Sequence, residues 1–340
     1  MAPRIGFFTR LLEDSGPAER YRFALEQIRH AERHGFATAW VAQHHFNAAE
    51  GGLPSPWPLL GAAAATTSRI RLGTAVVTLP HENPLRVAED AAVVDQLSGG
   101  RLELGVAPGA SPQALEAFGY AGQDPKDLFA EKLPVLRSAL RGEPQGESGL
   151  TLQPLGVQAS GVGAPIRALD DRLWQATFSD RGATRAALAG DGLMLSRIQP
   201  GDVDVSLNAS QRPIVEAYLE NLPEHVEPRI LSSRTLVVVD EENRQRVAAT
   251  ARERVAALAA KNYGVDPSGY SDRELLRITN SYFGTPEEVA EQLSRDEAAA
   301  RSSDVSFQAH SIDPGHELTL RSIELIATAV APQLGWELAP

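Results

Sequence analysis

The sequence predicts a (β/α)8 TIM barrel with loop insertions, formed by a single domain over residues 1–340. One observation is that eight short apolar strand candidates alternate with helical segments. Another is the absence of a glycine-rich fingerprint after the first strand, where a Rossmann sheet would carry one and this chain has FTRL at residues 8–11. The strands are predicted at residues 4–8, 38–41, 72–79, 102–106, 173–176, 192–195, 230–239 and 305–309.

A strand–helix–strand unit at residues 67–109 is the clearest part of this pattern. A β-branched run stops at Pro80, and Pro84 then fixes the backbone of a first helical turn. Apolar residues recur at helical spacing until Ser98, and Gly99 tolerates the left-handed geometry that ends a helix. Two strands joined through a helix of this length are expected to be parallel, with a right-handed crossover.

The other helices and loops are predicted from caps, apolar spacing and breakers. Residues 43–58 and 200–212 are expected to be loops, and the glycine-rich stretch near 142–165 is expected to leave the barrel as an excursion, such as a loose hairpin. Residues 261–282 give no clear pattern. Helices are predicted at 17–35, 59–67, 84–98, 113–118, 127–140, 182–189, 213–222, 242–261, from Thr285 onward, and at 317–330.

Composition excludes several function classes. The chain has no cysteine, which excludes disulfides, thiolate catalysis and cysteine-ligated metals. Its net charge is −12 with no basic run, which argues against nucleic acid as a partner. The first apolar patch is too short and too soon charged for a signal peptide or a membrane span. We therefore expect a cytoplasmic protein with no membrane partner.

Candidate site residues follow the strands, because a barrel of this type builds its active site at their carboxyl ends. His44, directly after the second strand, is the sharpest candidate, since imidazole can serve as a base or a hydrogen-bond donor near neutral pH. His45 is interpreted as capping or packing the loop. His30 and His34 have the spacing of metal ligands but are interpreted as a solvated helix face, and no metal site is predicted.

A second candidate is an anion cradle at residues 177–184, TFSDRGAT. Ser179, Arg181 and Gly182 stand where a strand leads into a helix, whose free N–H groups suit a phosphate. The same residues also suit an ordinary capped turn, so the pattern alone leaves both interpretations open. Arg197, just after the strand at 192–195, offers a further positive charge or a partner for an acid.

Four segments together resemble the bacterial luciferase-like monooxygenases. They are WVAQHHF at 40–46, RLGTAVVTLPHENPLRVAEDAAVVDQLSGGRLELGV at 71–106, AGDGLML at 189–195 and GTPEEVAEQL at 284–293. The second segment is long and specific, and the four stand in the family's order. The longer string WQATFSDRGATRAALAGDGLMLSR resembles a subgroup described as FMN-dependent.

The resemblance implies a barrel, commonly a homodimer, that binds reduced flavin at its mouth and uses O2 to oxygenate a small organic substrate. His44 would be the active-site histidine, and a bulge in the third strand would lie beneath the isoalloxazine ring, often with a non-prolyl cis peptide. The implied cofactor-binding residues are Thr74, Ala75, Val76, Ser179, Arg181, Gly182 and Arg197.

Two residues depart from the family pattern. Gln43 stands where many members have a glutamate, which removes a charge partner for His44. Pro108 stands where many members have a flavin-contacting arginine, so phosphate binding is expected to fall more heavily on the turn after the fifth strand.

Three functions are compatible with these residues. The first is a flavin-dependent monooxygenase supplied with reduced FMN by a separate reductase, since no nicotinamide fingerprint is present. The second is hydride transfer with a deazaflavin coenzyme in place of FMN. The third is a non-catalytic flavin-binding paralogue, which the departures at Gln43 and Pro108 favour.

Overall fold

The computed structural model describes residues 2–109, 111–152, 168–199 and 204–339. Its strands follow the predicted positions closely, with two additions. The strands are β1 Arg4–Thr9, β2 Thr38–Val41, β3 Arg71–Thr74, β4 Val77–Thr78, β5 Leu102–Ala107, β6 Leu173–Ala176, β7 Gly192–Leu195, β8 Ile230–Val238, β9 Ser281–Gly284 and β10 Asp304–Gln308.

Eight of these strands close into a ring in the order β1, β2, β3, β5, β6, β7, β8, β10, and each neighbouring pair is parallel. Closure is visible at β10, where Val305 pairs with Ile5 on one side and with Ser232 on the other. The (β/α)8 barrel predicted from the sequence is therefore confirmed. All strands run in one direction, so all their carboxyl ends open at one mouth.

Helices connect the strands and cover the outside of the ring. Their apolar faces pack against the strands in a continuous core that takes residues from both halves of the chain. In the described ranges the helices are α1 Pro17–Arg33, α2 Pro56–Thr66, α3 Pro84–Ser98, α4 Pro112–Ala117, α5 Pro125–Leu140, α6 Asp180–Leu188, α7 Leu207–Asn221, α8 Glu241–Tyr263, α9 Asp272–Ile278, α10 Pro286–Leu293, α11 Glu297–Ala300, α12 His316–Leu325 and α13 Ala331–Leu334. No helix in this part of the chain combines the length and apolarity needed to cross a membrane.

Two predicted elements have different bounds. The single strand predicted at 72–79 is interrupted between β3 and β4, where the peptide bond from Ala75 to Val76 is cis. The loop predicted at 200–212 ends early, because Ser206 caps a helix that begins at Leu207 rather than at 213. The polar sequence at the start of this helix looked like a loop, but Gln211 is buried and its amide donates to the carbonyl of Ser196 at 2.7 Å.

The region that gave no clear pattern contains α9 and β9. The short strand β9 pairs with the carboxyl-terminal part of β8, where Thr235 lies opposite Ser281. It lies outside the ring of eight strands. Of the predicted excursion near 142–165, residues 153–167 lie outside the described residues. In its described part, an isolated antiparallel bridge joins Gln145 and Leu150.

The interior of the barrel is filled by two tryptophans. Trp40 on β2 and Trp174 on β6 meet edge to face, with ring centroids 5.7 Å apart. A Cβ at Gly73 would lie 2.2 Å from the Trp40 ring, and one at Gly192 would lie 2.2 Å from the Trp174 ring. These strand glycines are therefore needed to make room for the rings, and the barrel is a packed core up to its mouth.

A buried ion pair fixes the outer side of β8 to the segment before α11. Arg234 and Asp296 are fully buried, and their Nε and Oδ2 atoms are 2.6 Å apart. Tyr282 donates a hydrogen bond to the same carboxylate at 2.6 Å. Burial acts to raise the pKa of Asp296, but the Arg234 charge outweighs it and holds that pKa below its ordinary value.

We predict that Asp296→Ala lowers the free energy of unfolding by about 3–5 kcal/mol, because it leaves the buried Arg234 without a partner. The control is Asp272→Ala, which removes an exposed partner of Arg252 and should cost about 1 kcal/mol or less. Because the pKa of Asp296 is lowered by folding, its contribution is present above its unfolded pKa and is lost as the pH falls through its folded pKa. Urea titration measures all three effects, and equal losses in the two variants would contradict the prediction.

Candidate active site at the barrel mouth

His44 lies in the loop that follows β2 and is held from both sides. Its backbone N–H donates to the carbonyl of Leu53 at 2.9 Å. Gly51 packs against its ring so closely that a Cβ there would lie 2.4 Å from Nδ1. That Nδ1 atom is buried and has no hydrogen-bond partner among the described residues. The imidazole is thus fixed in place with one ring nitrogen unsatisfied.

Gln43 positions this loop against the next strand end. Its side-chain carbonyl accepts a hydrogen bond from the N–H of Thr78 at 2.8 Å, and its amide donates to Glu82 at 2.7 Å. The side chain is buried, so its bond to Thr78 is shielded from water. Gln43 therefore joins the loop after β2 to the segment after β4. In the described part of the chain, no carboxylate forms an ion pair with His44, in line with the departure noted at Gln43.

The charged groups that act on His44 are two arginines, Arg10 and Arg197. Arg10 follows β1, Arg197 follows β7, and His310 follows β10; together with His44 we call these residues the mouth cluster. Burial, followed by the charges of Arg10 and Arg197, lowers the pKa of His44 to about 3. The same causes lower the pKa of the buried His310 to about 3. Both imidazoles are therefore neutral near pH 7.

The arginines of the mouth cluster repel each other as well. Burial and the charge of Arg10 lower the pKa of Arg197 to about 9, and burial lowers the pKa of Arg10 to about 10. Tyr263 acts in the opposite direction on Arg197, and Glu50 on Arg10. The mouth therefore has a positive electrostatic potential in a chain whose net charge is negative.

The bulge between β3 and β4 carries the cis peptide that the resemblance implied. Thr74 is fully buried, and its hydroxyl both donates to and accepts from the backbone of Gly105 at 2.8 and 2.9 Å. Its side chain thus fixes the bulge to β5. Ala75 and Val76 are partly exposed and pack on the interior cluster around Trp40, so they form the apolar floor of the mouth.

The turn between β6 and α6 is internally bonded. Ser179 caps α6 by accepting the N–H of Gly182 at 3.2 Å, and the Asp180 carboxylate accepts the N–H of Arg181 at 2.7 Å. A Cβ at Gly182 would lie 2.0 Å from the Thr177 hydroxyl, so close packing already requires this glycine. The Arg181 side chain is exposed. The turn offers one helix N-terminus, hydroxyl groups and one arginine to an anion.

The predicted residues thus form two groups at the same mouth. Arg197 belongs to one group with Arg10 and His44, because the charges of both arginines lower the pKa of His44. Arg181 belongs to the other group, and its charge acts on Arg185. Sequence reasoning selected neither Arg10 nor His310 as a site residue. The sequence signal that could have identified them is their position shortly after the carboxyl end of a strand.

An aromatic group covers the other side of the mouth. His45 meets the rings of His81 and Phe118 edge to face, at centroid distances of 5.6 and 4.8 Å. His81 stacks on Phe118 at 5.3 Å, and Phe46 is 75% exposed beside them. His45 therefore packs the loop. Among the described residues, no three histidine, aspartate or glutamate side chains are grouped to hold a metal ion.

Residues 4–302 match the sequence pattern of the luciferase-like monooxygenase family. The chain belongs to this family. Limonene 1,2-monooxygenase from Rhodococcus erythropolis is 28% identical over 327 residues, which cover 93% of this chain and 82% of that protein. The oxygenase component of a flavin-dependent trigonelline monooxygenase from Acinetobacter baylyi is 24% identical, over 71% of this chain and 65% of that protein. An uncharacterised protein from Sinorhizobium fredii is 34% identical over 53% of this chain, and the match spans half of that protein.

Solved structures show the same fold. The oxygenating constituent of 3,6-diketocamphane monooxygenase from Pseudomonas putida, in complex with FMN, superposes with a TM-score of 0.76 and 21% identity over the full length of both chains. The coenzyme F420-dependent tetrahydromethanopterin reductase from Methanopyrus kandleri superposes with a TM-score of 0.70 and 19% identity, over 98% of this chain and all of the other. The same barrel fold therefore occurs in a monooxygenase that binds FMN and in a reductase that depends on coenzyme F420.

We predict that neither His44 nor His310 takes up a proton between pH 8 and pH 5 in the folded protein, and that NMR titration of their ring protons shows this. Because the unfolded histidines titrate near pH 6.5, the unfolded state binds more protons as the pH falls. Stability should therefore decrease from pH 7 to pH 5 by roughly 2 kcal/mol for each histidine. Urea titration of the double variant His44→Gln/His310→Gln should show a smaller decrease, and an unchanged pH dependence would contradict this assignment.

Proposed function

We propose that this protein is the oxygenase of a flavin-dependent monooxygenase, which uses reduced FMN and O2 to oxygenate a small organic substrate. The observation that carries the proposal is the position of His44, neutral and with an unsatisfied nitrogen, at the same mouth as the bulge of Ala75 and Val76. This arrangement occurs in a chain of the luciferase-like monooxygenase family, with relatives named as monooxygenases.

The residues at the mouth fit FMN in two places. Ala75 and Val76 offer a flat, partly exposed apolar floor for the isoalloxazine ring. Ser179, Arg181 and Gly182 would hold the phosphate at the N-terminus of α6, with Arg181 supplying the charge. Asp180 lies in the same turn and opposes an anion, so the arginine carries most of the attraction. When bound, FMN would supply the redox chemistry with O2.

His44 would act through its ring nitrogens. A neutral imidazole can donate one hydrogen bond and accept another, so it can hold a proton at a stated nitrogen and pass it to a bound group. Gly51 and Leu53 fix the ring, and Gln43 fixes the loop, so the geometry is set before a ligand binds. The long loop after β2 would exclude water from the mouth.

A separate reductase would supply the reduced flavin. Two observations support this: β1 is followed by no nicotinamide fingerprint, and the trigonelline relative is named as an oxygenase component. The family resemblance also supports a homodimer. A deazaflavin coenzyme with hydride transfer is the second candidate, because enzymes that use F420 share this fold. A non-catalytic flavin-binding role is the third.

We predict that Arg181→Ala weakens FMN binding by roughly tenfold or more, because it removes the charge that faces the phosphate. Fluorescence titration with FMN measures the loss, and riboflavin, which has no phosphate, should bind both proteins equally. Arg295→Ala, an exposed arginine on another part of the surface, is the matched control. Titration with the deazaflavin coenzyme in parallel separates the first two candidates. Equal FMN affinity in both variants would remove Arg181 from the site.

We also predict that His44→Ala changes the rate at which protein-bound, photoreduced FMN consumes O2 by roughly tenfold or more, while FMN affinity stays within about twofold. Stopped-flow absorbance with excess protein measures the rate. His225→Ala, at an exposed position, is the matched control. Identical rates in wild type and His44→Ala would favour the non-catalytic role.

A further inference from the structure

The two arginines of the mouth cluster, Arg197 buried and Arg10 partly buried, carry positive charge for which no described carboxylate is an ion-pair partner. Arg197 is 8% exposed, and its Nη1 atom is buried without a hydrogen-bond partner. Arg10 is influenced by Glu50, but that carboxylate forms its own ion pair with Lys261 at 3.3 Å. In the described part of the chain, neither guanidinium forms an ion pair of its own.

Two other arginines in this chain, Arg234 and Arg172, are buried and have carboxylate partners. Arg234 forms its ion pair with Asp296, and Arg172 donates to the two carboxylate oxygens of Asp95 at 2.7 and 2.8 Å. A buried charge without a partner costs free energy, so folded chains supply a counter-charge wherever the charge has only a structural role. The mouth arginines are the exception among these four, and they follow the carboxyl ends of β1 and β7, where ligands bind.

Two further polar atoms are unsatisfied in the same place. Nδ1 of His44 and Nδ1 of His310 are both buried without hydrogen-bond partners. Burial and the nearby arginines keep both rings neutral, so each can still present one N–H as a donor. Arg254 also influences His310, but it forms an ion pair with Asp313. In the described part of the chain, the mouth cluster thus combines two arginines with two neutral imidazoles, and none of the four forms an ion pair with a carboxylate.

We propose that the mouth cluster binds a carboxylate of the substrate, so that the substrate is a small organic acid. This inference rests on the proposed function and adds the class of substrate. A planar carboxylate matches the fork of a guanidinium, and two arginines on different strands can hold its two oxygens from different sides. An acid held there lies beside His44, and the rest of the substrate would face the flavin ring on the floor formed by Ala75 and Val76.

The phosphate of FMN is a different anion, and the proposed function places it at the turn after β6. The turn at residues 177–182 follows β6 and presents Arg181, whose charge acts on Arg185 and not on the mouth cluster. The mouth cluster instead draws its groups from the ends of β1, β2, β7 and β10. A phosphate in the mouth cluster would compete with the substrate carboxylate for Arg10 and Arg197.

The test is calorimetric titration of the full chain, with and without saturating FMN, using matched acid and amide probes: benzoate against benzamide, and hexanoate against hexanamide. The acids should bind roughly tenfold or more tightly than the amides. Arg197→Gln and Arg10→Gln should each weaken acid binding by roughly tenfold or more and leave amide binding unchanged. Arg197→Lys, which keeps the charge, should restore part of the affinity, and Arg295→Gln is the control.

The outcomes separate the possible occupants. Equal binding of acid and amide, no binding of either acid, or no loss in the two glutamine variants would overturn the proposal. If Arg197→Gln instead weakens binding of FMN but not of riboflavin, the mouth cluster holds the FMN phosphate and the proposal is wrong. Circular dichroism confirms that each variant folds, and Arg10→Gln provides the second variant if Arg197→Gln does not.

The same experiment distinguishes this inference from the proposed function. Loss of acid selectivity with intact FMN binding would overturn only the assignment of the substrate class. Failure of FMN to bind wild type, with acid selectivity retained, would overturn the use of FMN and leave the carboxylate site standing.

Discussion

The pairing of β10 with both β1 and β8 is the constraint on which the site depends. Hydrogen bonds on both edges of this last strand close the sheet, and closure forces the eight strand ends into one circle. Groups that are more than two hundred residues apart in sequence, such as Arg10 and His310, meet for this reason alone. An open sheet with the same strands would place them at opposite edges.

Closure also determines what fills the ring. The interior has room for only a few large side chains. Trp40 and Trp174 fit there because Gly73 and Gly192, on the adjacent strands, have no side chain to occupy the same space. This apolar packing excludes water from below the mouth. The low dielectric that results explains why burial, followed by the neighbouring charges, lowers the pKa values of His44 and Arg197.

The sequence predicted the ring well because each strand is a short apolar run bounded by strong breakers. It failed where polar residues are buried with internal partners: the start of α7 looked like loop because its sequence is polar, and the sequence does not show that Gln211 satisfies its amide inside the fold. The interruption at Ala75 was foreseen only through the family resemblance, since nothing in an apolar run signals it. Arg10 was not selected because a single arginine after a strand is ordinary; only its position near the buried Arg197, whose pKa its charge lowers, distinguishes it.

The proposed carboxylate and the neutral state of His44 are linked by Coulomb's law. The pKa of His44 is lowered first by burial and then by Arg10 and Arg197. A bound anion would cancel the second contribution while it increases the first, because the ligand displaces solvent from the mouth. The repulsion that keeps a proton off His44 in the free protein would thus weaken when the acid binds. Stronger burial and weaker repulsion therefore act in opposite directions on the pKa of His44 when the acid binds.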